Sequence, residues 1–199
     1  NATYTTAVDL EGATVSASGG NISILGTGYN STSNNSRGVY VFNSTVQTTG
    51  SGTITITGRG MGTGTQEKGV ALRGTAPLIS SANGDINITG YGSTTSAQCC
   101  NQGVTMYTGI IQTTGAGNIF ITGTGGSGLS DTEGVDVSNV TALGTGNITI
   151  TGIGGSGSIL DTSGATGIIL GGGGDGNITA NGGNITLNGT GGTNSAGSS

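Results

Sequence analysis

The 199-residue chain carries 45 glycines, one proline and no histidine, with four cationic side chains against nine acidic ones and a net charge of −5. Four cations cannot neutralise a run of phosphates, which argues against nucleic acid as a partner. The sequence has no apolar run of about 18 residues, so no membrane span is predicted. Its apolar residues recur in register instead of being diluted by charge, which favours an ordered chain over a disordered one.

One short pattern, Ile-x-Ile/Leu-x-Gly, occurs six times and divides the chain into six units. The spacings between successive first isoleucines are 32, 32, 33, 29 and 37 residues. A period of this size indicates a solenoid, because one unit cannot bury its apolar face alone and must stack on its neighbours. The first isoleucines are Ile22, Ile54, Ile86, Ile119, Ile148 and Ile185.

Each unit contains three places where apolar and polar residues alternate, the pattern of a half-buried strand. The first strand follows a glycine in five of the units, as in Gly38-Val39-Tyr40-Val41, and Val8-Asp9-Leu10 is the copy without it. The third strand is the six-fold pattern itself. An insertion at residues 171–176 accounts for the 37-residue spacing. The middle strands are predicted around Val15, Val46, Ile79, Ile111, Val140 and Ile178.

Three short strands, glycine corners and a loop of about ten residues per unit predict an all-β fold without helices, since glycine and β-branched residues disfavour helix. We expect one right-handed parallel β-helix over residues 1–199, the hand that parallel crossovers prefer. Its inward-pointing residues should include Val39, Val41, Val46, Ile54 and Ile56. The six coils are placed at approximately 6–37, 38–68, 69–102, 103–133, 134–166 and 167–199.

Two further features follow from the three-strand coil. The loops should all leave the rod at one corner, because each joins a third strand to the next first strand. The residue before each third strand is mostly asparagine, which predicts a ladder of side-chain amides from coil to coil. The loops are residues 30–36, 62–67, 93–101, 127–132 and 155–165, and the ladder positions are Asn21, Thr53, Asp85, Asn118, Asn147 and Asn184.

The two cysteines, Cys99 and Cys100, are adjacent in the chain. Two thiols without a histidine do not make a tetrahedral metal site, so no metal or other cofactor is predicted. The pair is interpreted as a vicinal disulfide or an inert thiol pair in a loop, with intermolecular cross-linking as the alternative.

The segment Gly146-Asn-Ile-Thr-Ile-Thr-Gly152-Ile-Gly-Gly155, with strands such as Gly134-Val-Asp-Val137, resembles repeats of large bacterial surface proteins. These are the filamentous-haemagglutinin-like and autotransporter-type adhesins, and the resemblance covers nearly the whole chain. It implies a right-handed β-helix, secretion, and an adhesive or scaffolding role. It implies no catalytic residue.

The acidic residues do not form a recognisable catalytic set. Enzymes on β-helices need carboxylates beside a Lys, Arg or His on adjacent coils. Asp131 and Glu133 share a loop with no cation beside them in sequence, so we expect no enzyme and solvated surface charge. The same expectation covers Asp9, Glu67, Asp136 and Asp161.

Two surfaces are candidates for binding. Outward threonines of the third strands form a possible ice- or polysaccharide-binding face, interrupted by Leu25 and Phe120. A column on the first strand suits a glycan or a neighbouring protein, or is a self-stacking ladder covered by the preceding loop. The threonine face consists of Thr55, Thr57, Thr89, Thr122, Thr149 and Thr151, and the aromatic column of Tyr40, Phe42, Arg73 and Tyr107.

The low lysine content, the abundance of Thr, Asn and Gly, and the resemblance together predict an extracellular, cell-surface structural or adhesive protein. We expect a filament subunit or rod segment whose open ends stack head to tail on copies of itself or on adjoining repeats. Surface glycans are further possible partners. The alternative is a ligand-binding solenoid for ice or polysaccharide that uses the threonine face.

Overall fold

The computed structural model describes residues 5–158 and 164–195, which form three six-stranded parallel sheets and a short fourth sheet. No helix occurs among these residues. Each of the three large sheets contains one strand from every coil, so the chain makes five full turns from the first strand of a sheet to the sixth. The prediction of an all-β parallel solenoid with three strands per coil is confirmed, while its right-handed sense stays a prediction.

The strands follow the repeat in chain order. The first three coils contain β1 Val8–Glu11, β2 Thr14–Ala17, β3 Ile22–Thr27, β4 Val39–Phe42, β5 Thr45–Thr48, β6 Ile54–Arg59, β7 Val70–Arg73, β8 Leu78–Ser81 and β9 Ile86–Tyr91. The next three contain β10 Val104–Met106, β11 Ile110–Thr113, β12 Ile119–Thr124, β13 Val135–Val137, β14 Asn139–Ala142, β15 Ile148–Ile153, β16 Ser156–Ser158, β17 Ile168–Leu170, β18 Asn177–Ala180, β19 Ile185–Thr190 and β20 Thr193–Ser195.

Every sheet pairs equivalent residues of successive coils. The first sheet has the order β1-β4-β7-β10-β13-β17, the second runs from β2 to β18, and the third from β3 to β19. In the third sheet Ile54 pairs with Ile22 on one side and with Ile86 on the other. The register of the strands is therefore the register of the sequence repeat.

The core is a continuous column of aliphatic side chains between the three sheets. The predicted ladder of Ile54, Ile86, Ile119 and Ile148 is confirmed, and all four side chains are fully buried. Val39, Val41, Val46 and Ile56 are buried as well, in agreement with their predicted inward direction. Burial of one aliphatic side chain contributes roughly 1.5–3 kcal/mol, so the repetition of this layer stabilises the rod.

The glycines of the repeat meet where the third strand of one coil passes the first strand of the next coil. A Cβ on Gly58 would lie 2.1 Å from the carbonyl oxygen of Gly69, which precedes β7. No side chain fits at this contact. The close approach of the two backbones explains why the third-strand pattern ends in glycine and why the next strand follows one.

The predicted asparagine ladder is present at the corner before the third strands. The side-chain Oδ1 of Asn118 accepts a hydrogen bond from the backbone N–H of Asn147 at 2.9 Å and from its amide at 3.0 Å. Asn147 Oδ1 in turn accepts from the backbone N–H of Asn184 at 2.8 Å. Asp85 replaces asparagine as the acceptor for Asn118, at 2.8 Å. Each bond joins neighbouring coils.

The loops stack on one another at a single corner, as predicted for the described ones. Asn35 N–H donates to Thr65 O at 2.9 Å, and Gln66 N–H donates to Cys99 O at 3.1 Å. Cys100 N–H continues the series to Ser130 O at 3.0 Å. In the loop at 155–165, residues 159–163 lie outside the described residues. The pairing of β16 with β20 is an unpredicted extension of this loop stack.

Candidate functional site

On the outer face of the first sheet, Ala71, Thr105 and Asp136 are buried close to the ends of the loops. The loop ends are held inward because they pair with the segment that follows the third strand: Ser93 N–H donates to Glu67 O at 3.0 Å, and Met61 N–H donates to Ser36 O at 3.0 Å. The residues before four of the five first-strand glycines are almost completely buried. We call this series the buried polar column, and it comprises Arg37, Lys68, Gln102 and Glu133.

The expectation that the acidic residues are solvated surface charges is wrong for three of them. Glu67 is fully buried, Glu133 is 2% exposed and Asp136 is 5% exposed. Asp9 is exposed as expected, and Asp161 lies outside the described residues. Lys68, two coils away, is close enough for its charge to interact with that of Glu133.

The buried polar column is linked by side-chain hydrogen bonds. Lys68 Nζ donates to Gln102 Oε1, and Gln102 Nε2 donates to the Tyr107 hydroxyl at 3.5 Å. Next to the column, Glu67 Oε2 accepts from the Ser36 N–H at 2.6 Å. Glu67 Oε1 and Glu133 Oε2 are buried without a hydrogen-bond partner among the described residues. Part of the column is therefore under-satisfied, which is energetically unfavourable.

Burial shifts the pKa values of the ionisable side chains in this region so that their uncharged forms are favoured. Desolvation raises the pKa of Glu67 and the pKa of Glu133, each to about 7. Desolvation, with added repulsion from Arg73 and Arg37, lowers the pKa of Lys68 to about 7. The pKa of Asp136 is raised by burial as well, against the hydrogen bond from the Gly172 backbone. These shifts have the direction expected for charges withdrawn from water.

The structure brings the four residues of the aromatic column together. Phe42 pairs with Arg73 in register, and the Tyr40 and Phe42 rings lie 5.9 Å apart at 26°. The Arg73 guanidinium lies 4.5 Å from the centroid of Tyr107. Two cations of the buried polar column approach the same rings: Arg37 lies 4.4 Å from the Tyr40 centroid, and Lys68 Nζ lies 5.7 Å from that of Tyr107. Three of the four cations, scattered in sequence, are thus gathered on one side.

A cleft lies beside this column, where the first strands turn into the second strands. This corner is four residues long in the third coil (74–77), three in the fourth (107–109), one in the fifth and six in the sixth (171–176). The six-residue insertion folds back along the rod: Gly172 N–H donates to Asp136 Oδ1 at 3.2 Å, and Gly173 packs on Tyr107. The resulting cavity, which we call the corner cleft, has a volume of about 410 Å³ and is lined by Arg73, Gly74, Tyr107, Thr108 and Gly173.

The threonine face lies on the outside of the third sheet. Thr57, Thr89, Thr122 and Thr151 are paired on four successive strands and form one column. The second column is broken, since Asn87 and Phe120 separate Thr55 from Thr149. Leu25, 72% exposed, ends the first column. A third outward column went unnoticed in the sequence, and in it the Arg59 guanidinium lies 5.8 Å from the Tyr91 ring.

Cys99 and Cys100 form a vicinal disulfide in the stacked loops. Cys100 Sγ lies 3.5 Å from Asp131 Oδ2, and the donor atoms of the three residues lie within 4.8 Å of one another. In the disulfide the two sulfurs are bonded to each other, so the group presents no thiolate to a metal.

Residues 5–158 and 164–195 include no helix long and apolar enough to cross a membrane. Comparison of the chain with protein-family models, with curated proteins and with solved structures found no match. The coils themselves define a class of fold, the parallel β-solenoid, with about 32 residues and three strands per coil.

Proposed function

We propose that this chain is an extracellular structural and adhesive rod, a filament subunit or a segment of a cell-surface fibre, whose end coils stack head to tail. The observation that carries the proposal is the exposed aliphatic layer on the third strand of the sixth coil. Ile185 and Leu187 are 44% and 45% exposed, whereas their partners Ile148 and Ile150 in the preceding coil are fully buried. A further coil on this edge would bury the same aliphatic layer once more.

The sheet edges have the geometry that such stacking needs. β17, β18 and β19 are the outermost strands at one end, and β1, β2 and β3 at the other. Outermost strands present backbone N–H and C=O groups that template pairing with another strand. Residues 177–189 have the spacing of residues 14–26, so a first coil can follow the sixth without a change of register. A head-to-tail contact of this kind does not close and yields a fibre.

The resemblance to bacterial adhesin repeats supports the extracellular, adhesive part of the proposal. In this role the partners are other coils of the same geometry, from a second copy or from adjoining repeats, together with surface glycans. The proposed function is non-catalytic. Lys68 and Glu133 are the candidates for a general base and a general acid, but both are almost completely buried and cannot reach a substrate.

Electron microscopy and sedimentation velocity over a range of concentrations test self-stacking. Six coils at about 4.8 Å give a rod about 29 Å tall, so stacked copies should appear as multiples of that length. Leu187→Lys should abolish the longer species, because it places a charge in the contact. The matched control Thr149→Lys changes an outward residue of β15 and should leave them intact. A wild-type protein that stays single at every concentration would exclude self-stacking.

A second candidate function is ligand binding by the threonine face, to ice or to a polysaccharide. It is favoured by the four threonines in register at Thr57, Thr89, Thr122 and Thr151. Thermal hysteresis measures the ice activity, and Thr89→Lys should abolish it because Thr89 lies inside the column. An unchanged hysteresis in this variant, or none in the wild type, would reject the ice-binding candidate.

A further inference from the structure

The corner cleft is the place where the rod departs most from its own repeat. The connection between the first and second strands has one residue in the fifth coil and six in the sixth. The six-residue insertion therefore forms one side of a gap next to the short connection. Insertions in solenoid repeats commonly lie on one face, often the binding face. The cleft is shallow and largely open to solvent, with a volume of about 410 Å³.

Arg73 is the cation that lines this cleft. Its Nε is buried and has no hydrogen-bond acceptor among the described residues. The guanidinium carbon lies 4.5 Å from the Tyr107 centroid, within the range of a cation–π contact. The buried Nε is closed to a ligand, so the rest of the planar guanidinium would meet an oxyanion, and its shape suits carboxylate and sulfate oxygens.

The other charges near the cleft are withdrawn from it. Asp136 is 5% exposed and accepts a hydrogen bond from Gly172 at 3.2 Å. Lys68 is buried against Tyr107 and Gln102, Glu133 is buried as well, and Asp131 lies in the stacked loops. Arg73, which is half-buried, therefore carries the accessible charge of the cleft.

We propose that the corner cleft binds an acidic sugar unit of a polysaccharide, with Arg73 as the partner of its carboxylate or sulfate group. Gly74 and Gly173 line the cleft with Arg73. The cleft lies beside the third and fourth coils, towards which the insertion of the sixth coil folds back. The inference is therefore separate from head-to-tail stacking, and a stacked fibre would display one such site per copy.

Isothermal titration calorimetry at low ionic strength tests the site with three probes: an oligogalacturonate, a sulfated galactan oligosaccharide and a neutral oligogalactan. We expect binding of one or both acidic probes, and the difference between them identifies the anionic group. The neutral probe should bind at least about ten-fold more weakly, the loss expected when a charged hydrogen bond is missing. Equal binding of all three probes, or no binding of any, would overturn the proposal.

Two variants separate the cleft from general surface charge. Arg73→Gln should weaken binding of the acidic probe about ten-fold or more. Arg59→Gln is the matched control, since Arg59 also lies over a tyrosine ring, at 5.8 Å, but on the exposed third sheet. It should leave the affinity within about two-fold. Equal losses in the two variants would mean non-specific attraction and would overturn the site.

A third variant tests the wall of the cleft without removing charge. A Cβ on Gly173 would lie 2.3 Å from Tyr107 Cδ1, so Gly173→Ala must displace the insertion. We expect weaker binding with unchanged thermal stability of the rod, because the insertion lies outside the aliphatic core. Unchanged affinity in this variant would show that the insertion does not form the site. The variants' filament length, measured in parallel, reports separately on stacking.

Discussion

Glu67 and Lys68 are neighbours in the chain, and the coil buries both of them. The Glu67 carboxyl faces the Ser36 backbone of the preceding coil, whereas the Lys68 ammonium faces Gln102 of the following coil. Desolvation moves the pKa of each group to about 7 from opposite directions. Two adjacent loop residues are therefore an acid, Glu67, that ionises less readily than usual and a base, Lys68, that binds a proton less readily than usual.

These shifts predict an unusual dependence of stability on pH. Glu67 and Glu133 bind protons more tightly in the folded state, so the free energy of unfolding should fall as pH rises from about 4.5 to about 7. Lys68 binds its proton less tightly in the folded state, so the free energy should rise from about pH 7 to about 10.5. Urea unfolding across this range should therefore show a minimum near neutral pH.

Glu67→Gln isolates the acidic half of that dependence. The amide retains an acceptor for the Ser36 N–H and has no charge to bury, so we expect a gain of about 1–3 kcal/mol at pH 7. The gain should vanish near pH 4.5, where the wild-type carboxyl is protonated. A pH-independent effect of the substitution in urea unfolding would contradict the assigned ionisation.

The vicinal disulfide should contribute little to global stability. Cys99 and Cys100 are adjacent, so the bond closes almost no loop and removes little entropy from the unfolded chain. The double variant Cys99→Ser, Cys100→Ser should lower the free energy of unfolding by less than about 1 kcal/mol. Thermal melts with and without a thiol reductant check this, and a large loss would mean that the stacked loops depend on the bond.

At the scale of the strand, the effect of a substitution depends on whether the side chain points into the core or out to solvent. Ile86 of β9 is fully buried between Ile54 and Ile119, whereas Thr55 of β6 lies on the outer face. Ile86→Asp should abolish folding, because a buried unpaired carboxylate adds desolvation to the lost aliphatic contact. Thr55→Asp should change the melting temperature only slightly. Similar melting curves for the two variants would contradict the facing of the third sheet.

The glycine contact between strands should be equally selective. Gly58→Ala places a Cβ 2.1 Å from the Gly69 carbonyl oxygen and should destabilise the rod by about 1–3 kcal/mol or more. Gly20→Ala is the matched control, because its added Cβ meets nothing within 4 Å. Chemical denaturation of the two variants gives the comparison. An equal loss would indicate a general effect of glycine replacement rather than the backbone approach.

At the scale of the whole molecule, each coil contacts its neighbours along one axis. Stability in such a molecule is approximately a sum of coil terms and interface terms. Two copies joined in register, coil six to coil one, should therefore melt at a higher temperature than one copy, because Ile185 and Leu187 become covered. A tandem chain with the same melting temperature as the single chain would exclude stacking by adjoining repeats as well.

The sequence by itself determined the coil. Its period places Ile54, Ile86, Ile119 and Ile148 on one another, and parallel pairing of equivalent residues leaves little choice of register once one face must be buried. The asparagine ladder and the common corner of the loops followed from the same repetition. These features are local or strictly periodic, so the residue pattern contains them.

The tertiary structure alone decided what lies over the outer face of the first sheet. The burial of Glu67, Lys68 and Glu133 depends on loops that differ in length and in sequence, so no repeated pattern in the sequence predicted it. The sequence shows that residues 171–176 interrupt the repeat, but it does not show in which direction along the rod the insertion folds. It folds back over Asp136 and Tyr107, one and two coils away, and those contacts arise only once the coils are stacked.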